Sequence, residues 1–148
     1  MIMFRSLSTV LLLMLFSFQG TAQEFVGLTA EEIKQRMRAE RKDFHLDETT
    51  VNRVYRYLKY VDDLETRTIL YFLSDEDVCT FYKEIYENDQ LNPVKEHLDT
   101  TCRKIADTLW LKETPHGTME KVLVRRDWFF TVTTRPARWH EAEVKKEK

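Results

Sequence analysis

The sequence predicts an α+β domain: a single antiparallel sheet with two helices packed on one face, in the order α-β-β-β-α-β-β-β. Three observations carry this prediction. Two segments hold apolar residues at helical spacing behind clear start signals. Six segments rich in β-branched and aromatic residues fall into two groups of three, separated within each group by short turns. Glycine and proline are scarce, three of each in 148 residues, so regular structure dominates and the short connections favour antiparallel meanders.

The first helix is expected at Ala30–Arg41. Thr29 is a natural N-cap, and Glu32 three residues later completes a capping box. Leu28 and Ile33 take the hydrophobic-staple positions, and Ile33 pairs with Met37 one turn on. Three strands follow: Arg53–Val61, Thr66–Leu73 and Val78–Tyr86, with turns at Asp62–Glu65 and Ser74–Asp77. In the second helix Asn92 is expected as the cap and Pro93 as the first helical residue, where a missing N–H is harmless. Leu91, Val94, Leu98, Cys102 and Ile105 form its apolar stripe. Strands then return at Thr108–Lys112, Thr118–Arg126 and Trp128–Arg135, with a turn near Pro115-His116-Gly117. The two halves can be laid on each other as an αβββ duplication. Tyr57-Leu58-Lys59 then matches Trp110-Leu111-Lys112, and Asp77–Phe81 lies over Arg126–Phe130.

Alternation sends neighbouring residues of a strand to opposite faces. The more aliphatic set is expected under the helices: Val54, Leu58, Leu70, Phe72, Cys79, Phe81, Ile85, Leu109, Leu111, Val122, Val124, Trp128, Phe130 and Val132. Ile33, Met37, Val94, Leu98 and Cys102 press on it from the helices. The other face then carries Tyr55, Tyr57, Lys59, Tyr71, Thr80, Tyr82, Glu84, Trp110, Lys112, Phe129, Thr131 and Thr133. A solvent face of an antiparallel sheet is ordinarily charged and threonine-rich. Six aromatics there, Tyr55, Tyr57, Tyr71, Tyr82, Trp110 and Phe129, mark a candidate surface for a ligand or partner. The competing reading is a sheet that curls, or a tail that folds over, to hide the rings.

The first 22 residues have the layout of an export signal. Arg5 supplies the positive charge, Val10–Phe18 the apolar run, and Gly20-Thr21-Ala22 a small-x-small cleavage site. The run is about half of the roughly 20 residues that span a bilayer. No cysteine stands directly after it, where Gln19–Gln23 lie, which argues against lipidation. The expected organisation is a leader at 1–22, one domain at 23–135 and a charged tail at 136–148, with export to the periplasm or beyond and no membrane insertion after cleavage. The chain carries a net charge of −2, and −3 without Arg5, a balance that argues against nucleic-acid binding. In an oxidising compartment the two cysteines, Cys79 and Cys102, suit a disulfide; each also sits where a small buried hydrophobe fits.

No nucleophile-elbow, zinc-protease, P-loop or dinucleotide motif occurs. The histidines, His45, His97, His116 and His140, stand outside metal-ligand spacing, and His97 and Cys102 do not share a helix face. No metal site, cofactor or catalytic residue is therefore expected. The acidic run Asp75-Glu76-Asp77 reads as turn chemistry.

Gly27-Leu28-Thr29-Ala30-Glu31-Glu32-Ile33 resembles the opening of small envelope domains of the SmpA/OmlA and beta-lactamase-inhibitor-like type, in which such a stretch precedes antiparallel strands. Phe72-Leu73-Ser74-Asp75 before Val78-Cys79-Thr80 is similar to small exported bacterial proteins of unknown function. The resemblance implies an envelope location and carries over no functional residue. The expected function is a non-enzymatic binding module that holds a protein or an extended ligand on the aromatic face. A homodimer joined through that face, and a small hydrolase with an unrecognised site, are the alternatives.

Overall fold

The Thr29 capping box forms as the sequence predicts. The Glu32 N–H donates to Thr29 Oγ1 at 3.3 Å, and the Thr29 N–H donates to Glu32 Oε2 at 2.7 Å. Helix α1, Ala30–Glu40, starts there and buries Ile33 and Met37. The computed structural model describes residues 24–48 and 54–137. The expected leader and tail residues 138–148 lie outside the described residues.

After α1 come β1 (Phe44–Leu46), β2 (Tyr57–Asp62), β3 (Arg67–Leu73) and β4 (Cys79–Glu87). A short 3₁₀ turn, Asn88–Gln90, leads into α2 (Leu91–Thr101), and β5 (Arg103–Ala106), β6 (Leu109–Thr114), β7 (Gly117–Arg125) and β8 (Phe129–Pro136) follow. The eight strands among the described residues form one antiparallel sheet in the order β1-β2-β3-β4-β8-β7-β6-β5. Two four-strand meanders thus meet edge to edge at β4 and β8, each opened by a helix.

Among the described residues, the α+β class, the single antiparallel sheet and the two helices match the expectation; the count of three strands per half does not. The strands not foreseen are β1 and β5, one at each sheet edge. The three residues of β1 are too few to show a period. Every residue of β5 (Arg103-Lys104-Ile105-Ala106) is exposed, so no apolar alternation marks it. Its basic residues suit an edge that must not pair with another chain.

Helix α2 begins one residue before the expected cap, with Asn92 and Pro93 inside its first turn. Pro93 is tolerated because the first N–H groups of a helix have no partner within it. The helix stops at Thr101. Both Thr100 and Thr101 donate their hydroxyls to the His97 carbonyl, at 2.9 and 2.7 Å, and such local bonds weaken a last turn. Ile105, expected on the helical stripe, is instead on β5 and half exposed. Pro136 and Ala137, expected in the tail, belong to the sheet: Pro136 ends β8, and the Ala137 N–H donates to the Thr118 carbonyl at 2.9 Å.

Which face the helices cover is the main correction. Ile33 and Met37 of α1 pack with Tyr60, Ile69, Tyr71, Cys79 and Tyr82. Leu98 of α2 packs with Tyr86, Trp110, Leu123, Phe130 and Val132. Register confirms that these residues share a face: Tyr71 opposes Tyr82, Tyr82 opposes Thr134, Thr134 opposes Lys121, and Lys121 opposes Trp110. Leu58, Cys79, Phe130 and Val132 are on the helix side as expected. Leu70, Phe72, Phe81, Ile85, Leu109, Leu111, Val122 and Val124 are on the opposite side, where Phe72 stacks on Phe81 at 4.4 Å. Val54 and Trp128, also expected in the core, are 78% and 87% exposed. The proposed overlay of the halves fails for the same reason: Tyr57 and Phe81 point away from the helices, whereas Trp110 and Phe130 point toward them.

The inversion has a physical cause. Eight strands about 4.8 Å apart span roughly 34 Å, while two helices with their side chains cover about 10 Å each. Short helices on a wide sheet leave a gap that long side chains must fill. Tyrosine and tryptophan fill it and still satisfy their polar ends: Trp110 Nε1 donates to Asp99 Oδ1 at 2.8 Å, and the Tyr71 hydroxyl donates to Met37 Sδ at 3.3 Å.

Candidate functional site

The uncovered gap between the helices is a groove of about 600 Å³. Its floor is β3, β4, β8, β7 and β6, through Arg67, Tyr71, Tyr82, Glu84, Tyr86, Val132, Lys121 and Lys112. One wall is Glu24, Phe25 and Arg41, which flank α1. The other is α2 with its approach, through Gln90, Pro93, Val94, His97, Leu98 and Thr101. The two apolar clusters lie on either side of a polar strip at the bottom.

At one end of the strip, Glu24 meets two lysines. Glu24 Oε1 is 3.2 Å from Lys112 Nζ and 3.5 Å from Lys121 Nζ. The Tyr82 hydroxyl donates to Glu24 Oε2. Lys121 Nζ also donates to Thr134 Oγ1 at 2.9 Å and to the Tyr82 oxygen at 3.3 Å. Burial pushes the Glu24 carboxyl up, but the Lys121 charge, the Tyr82 hydroxyl and Lys112 outweigh it and hold the carboxyl below its ordinary value. Tyr82 moves the other way: burial, then the charges of Glu24 and Glu84, push its hydroxyl well up, so it stays a donor.

The sign of the Glu24 effect gives a prediction. A carboxyl lowered in the folded state contributes stability that is complete above its unfolded pKa and is lost as the pH falls through the folded value. Between about pH 6 and about pH 3 the unfolding free energy of the wild type should therefore fall more steeply than that of Glu24→Gln. Urea titrations at each pH measure this; parallel curves would show that the lysines do not hold Glu24.

At the other end stands Arg67. Its guanidinium lies over the Phe44 ring at 5.4 Å and the Tyr86 ring at 4.9 Å. One amino group donates to the Tyr86 hydroxyl at 3.3 Å, and Glu84 Oε1 is 3.6 Å away. Arg67 Nε is buried and donates to nothing among the described residues. The turn before it is fixed by Asp62, whose carboxylate accepts from the Thr66 N–H at 2.7 Å, the Arg67 N–H at 2.9 Å and the Thr66 hydroxyl at 2.8 Å. Burial raises the Asp62 carboxyl, and these bonds more than reverse it. Arg41 stands nearby over Phe44 at 5.6 Å.

The six predicted aromatics do not form one surface. Tyr71, Tyr82 and Trp110 are 1%, 6% and 0% exposed and lie beneath the helices. Their place as open-face ligands is corrected, although Tyr71 and Tyr82 do floor the groove. Tyr57 and Phe129 are on the opposite face, and exposed Tyr55 precedes β2, with its ring edge-on to Phe72 at 6.5 Å. Cys79 and Cys102 are free thiols in different clusters, one with α1 and one with α2, so the strand-to-helix bridge is not made. Burial pushes the Cys79 thiol up to about 12, which keeps it protonated and unreactive. Among the described residues, no group of three His, Cys, Asp or Glu side chains is placed to hold a metal ion.

Sequence reasoning missed Glu24, Phe25, Arg41, Arg67 and Lys121 as site residues. Lys121 did carry a signal. It alternates with Met119 and Leu123, which places a charge on an apolar face of β7. Glu24 and Phe25 carried none, because their position depends on where the chain enters the sheet.

Among the described residues, no helix is long and apolar enough to cross a membrane. No family model, curated protein sequence or solved structure matches the chain.

Proposed function

We propose that this chain is an exported binding module that holds an anionic ligand in the groove between its two helices. The observation that carries the reading is the groove's charge: Arg41, Arg67, Lys112 and Lys121 line it against two carboxylates, Glu24 and Glu84. The Arg67 guanidinium, packed on the Phe44 and Tyr86 rings and with an Nε–H that has no acceptor among the described residues, is preorganised to receive an acceptor. The tyrosine floor suits a ligand that also carries an apolar or flat part. The leader-like first residues and the resemblance to envelope domains support action outside the cytoplasm. The binding function expected from the sequence is kept, and its place moves from an open aromatic face to an aromatic-floored groove.

The test is a titration with 3-phenylpropionate, followed by amide shifts, with 3-phenylpropanol as the uncharged control. The acid should move the Arg67, Tyr86 and His97 signals, and the alcohol should bind more weakly. Arg67→Met should weaken the acid by about tenfold or more, since a hydrogen bond to a charged group contributes about 1.5–3 kcal/mol. Equal binding of acid and alcohol, or of the acid by wild type and variant, would rule out this function.

A further inference from the structure

The lysine end of the groove is already filled, and by the chain itself. Glu24 puts a carboxylate on Lys112, Lys121 and the Tyr82 hydroxyl. Phe25 puts a ring 4.9 Å from Tyr71 and 5.9 Å from Tyr82, with the Arg36 guanidinium above it at 5.2 Å. The pair is the chemistry that the groove walls would select: an anion beside an aromatic ring.

The attachment of this pair differs from that of the residues after it. Gly27 to Ala30 are tied to the start of β4 by three backbone hydrogen bonds. The Gly27 N–H donates to the Cys79 carbonyl at 2.8 Å, the Cys79 N–H to the Leu28 carbonyl at 2.8 Å, and the Ala30 N–H to the Asp77 carbonyl at 2.9 Å. Before Gly27 the backbone has one further bond among the described residues, from the Leu28 N–H to the Phe25 carbonyl at 3.1 Å, and none to the sheet. Gly27 itself has φ +90°, a conformation open to glycine at no steric cost. Among the described residues, Glu24 and Phe25 therefore reach the sheet through their side chains, beyond a glycine that is itself tied to it.

We propose that Glu24–Phe25 is a strap standing in for the groove's ligand, and that this end of the groove takes an acidic–aromatic peptide segment once the strap swings out. The proposal rests on the reading of the groove as a ligand site. A self-occupied site binds with an affinity reduced by the fraction of molecules in which it is open. Weakening the strap must then strengthen binding, the reverse of what removing a charged wall residue ordinarily does.

The experiment is calorimetric titration of the purified chain with N-acetyl-Glu-Phe-amide, and with N-acetyl-Gln-Phe-amide as the uncharged control. Glu24→Ala should bind the acidic peptide about tenfold or more tightly than wild type does, if the strap is closed in over nine-tenths of molecules. Glu24→Gln, which keeps the side chain's volume, should gain less. Adding Lys121→Met to either variant should remove the gain, and the uncharged peptide should show none. Thermal melts check folding, and Glu24→Gln serves if the alanine variant is too unstable. If 3-phenylpropionate binds through Arg67 but neither Glu24 variant gains affinity for the acidic peptide, the strap proposal fails and the groove reading stands. If no form binds either probe, both fail.

Discussion

Replacing Trp110 with alanine is expected to cost about 3–5 kcal/mol of folding stability, and to lower the melting temperature by roughly 10–20 °C in a domain of this size. Trp110 is fully buried on β6, packed with Leu98 of α2 and with Leu123, Phe130 and Val132 of the sheet. Truncation would open a cavity at the centre of that cluster and release the Asp99 carboxylate that accepts from the indole N–H. Trp128, on the β7–β8 turn, is the internal control. It is largely exposed, and its replacement by alanine should change stability by no more than about 0.5 kcal/mol. Urea unfolding of the two variants measures the contrast. The ranking also tests the orientation of the sheet, because placing the aliphatic residues under the helices predicts the reverse order. A larger loss for Trp128→Ala would overturn the architecture described above.

That contrast shows which parts of the fold were legible in the sequence. The start of α1 was, because a capping box is local: Thr29 and Glu32 act through backbone groups three residues away. The six longer strands were legible to within a few residues, because their composition and turns are local as well. The choice of buried face was not. Alternation sorts Leu70 from Tyr71, and Phe81 from Tyr82, but does not say which member of each pair faces a helix. Apolar character favours Leu70 and Phe81, which carry no hydroxyl. The structure selects Tyr71 and Tyr82, because two helices of 11 residues cannot cover eight strands and the rings bridge the remainder. Only the width of the sheet settles the matter, and β1 and β5, which give it that width, are the strands the sequence conceals.

The candidate site follows from the same mismatch. Had each half held three strands, two helices would nearly cover the sheet and the apolar clusters would meet. With four strands in each half, the clusters stay apart and the strip between them can be polar. Lys121 and Glu24 are side by side there with little access to water, their side chains 10% and 7% exposed. A buried charge pair is a poor source of stability, since removing both ions from water offsets much of their attraction. Its presence in the floor of a groove is better explained by what the groove holds.

Lys121→Met is expected to be the second large loss, about 3 kcal/mol, at the lower end of the range for breaking a buried pair. The methionine keeps most of the aliphatic stem, so the change isolates the ammonium. Without it, the Thr134 hydroxyl and the Tyr82 oxygen lose a donor, and Glu24 keeps Lys112, at 3.2 Å, and the Tyr82 hydroxyl. Those remaining partners are why the loss should not reach the top of the range. In a Glu24→Gln background the same substitution should cost less, because no carboxylate is left to be stranded. The coupling between the two changes should be about 1–3 kcal/mol, beyond the ~0.5 kcal/mol within which independent sites add. Chemical unfolding of the wild type, both single variants and the double variant at neutral pH measures that coupling. Additive losses would mean that Glu24 and Lys121 do not act as a pair, and the strap would then have no electrostatic hold on the groove. A coupling in the expected range would tie the strap's closure to the charge that its competitor must satisfy.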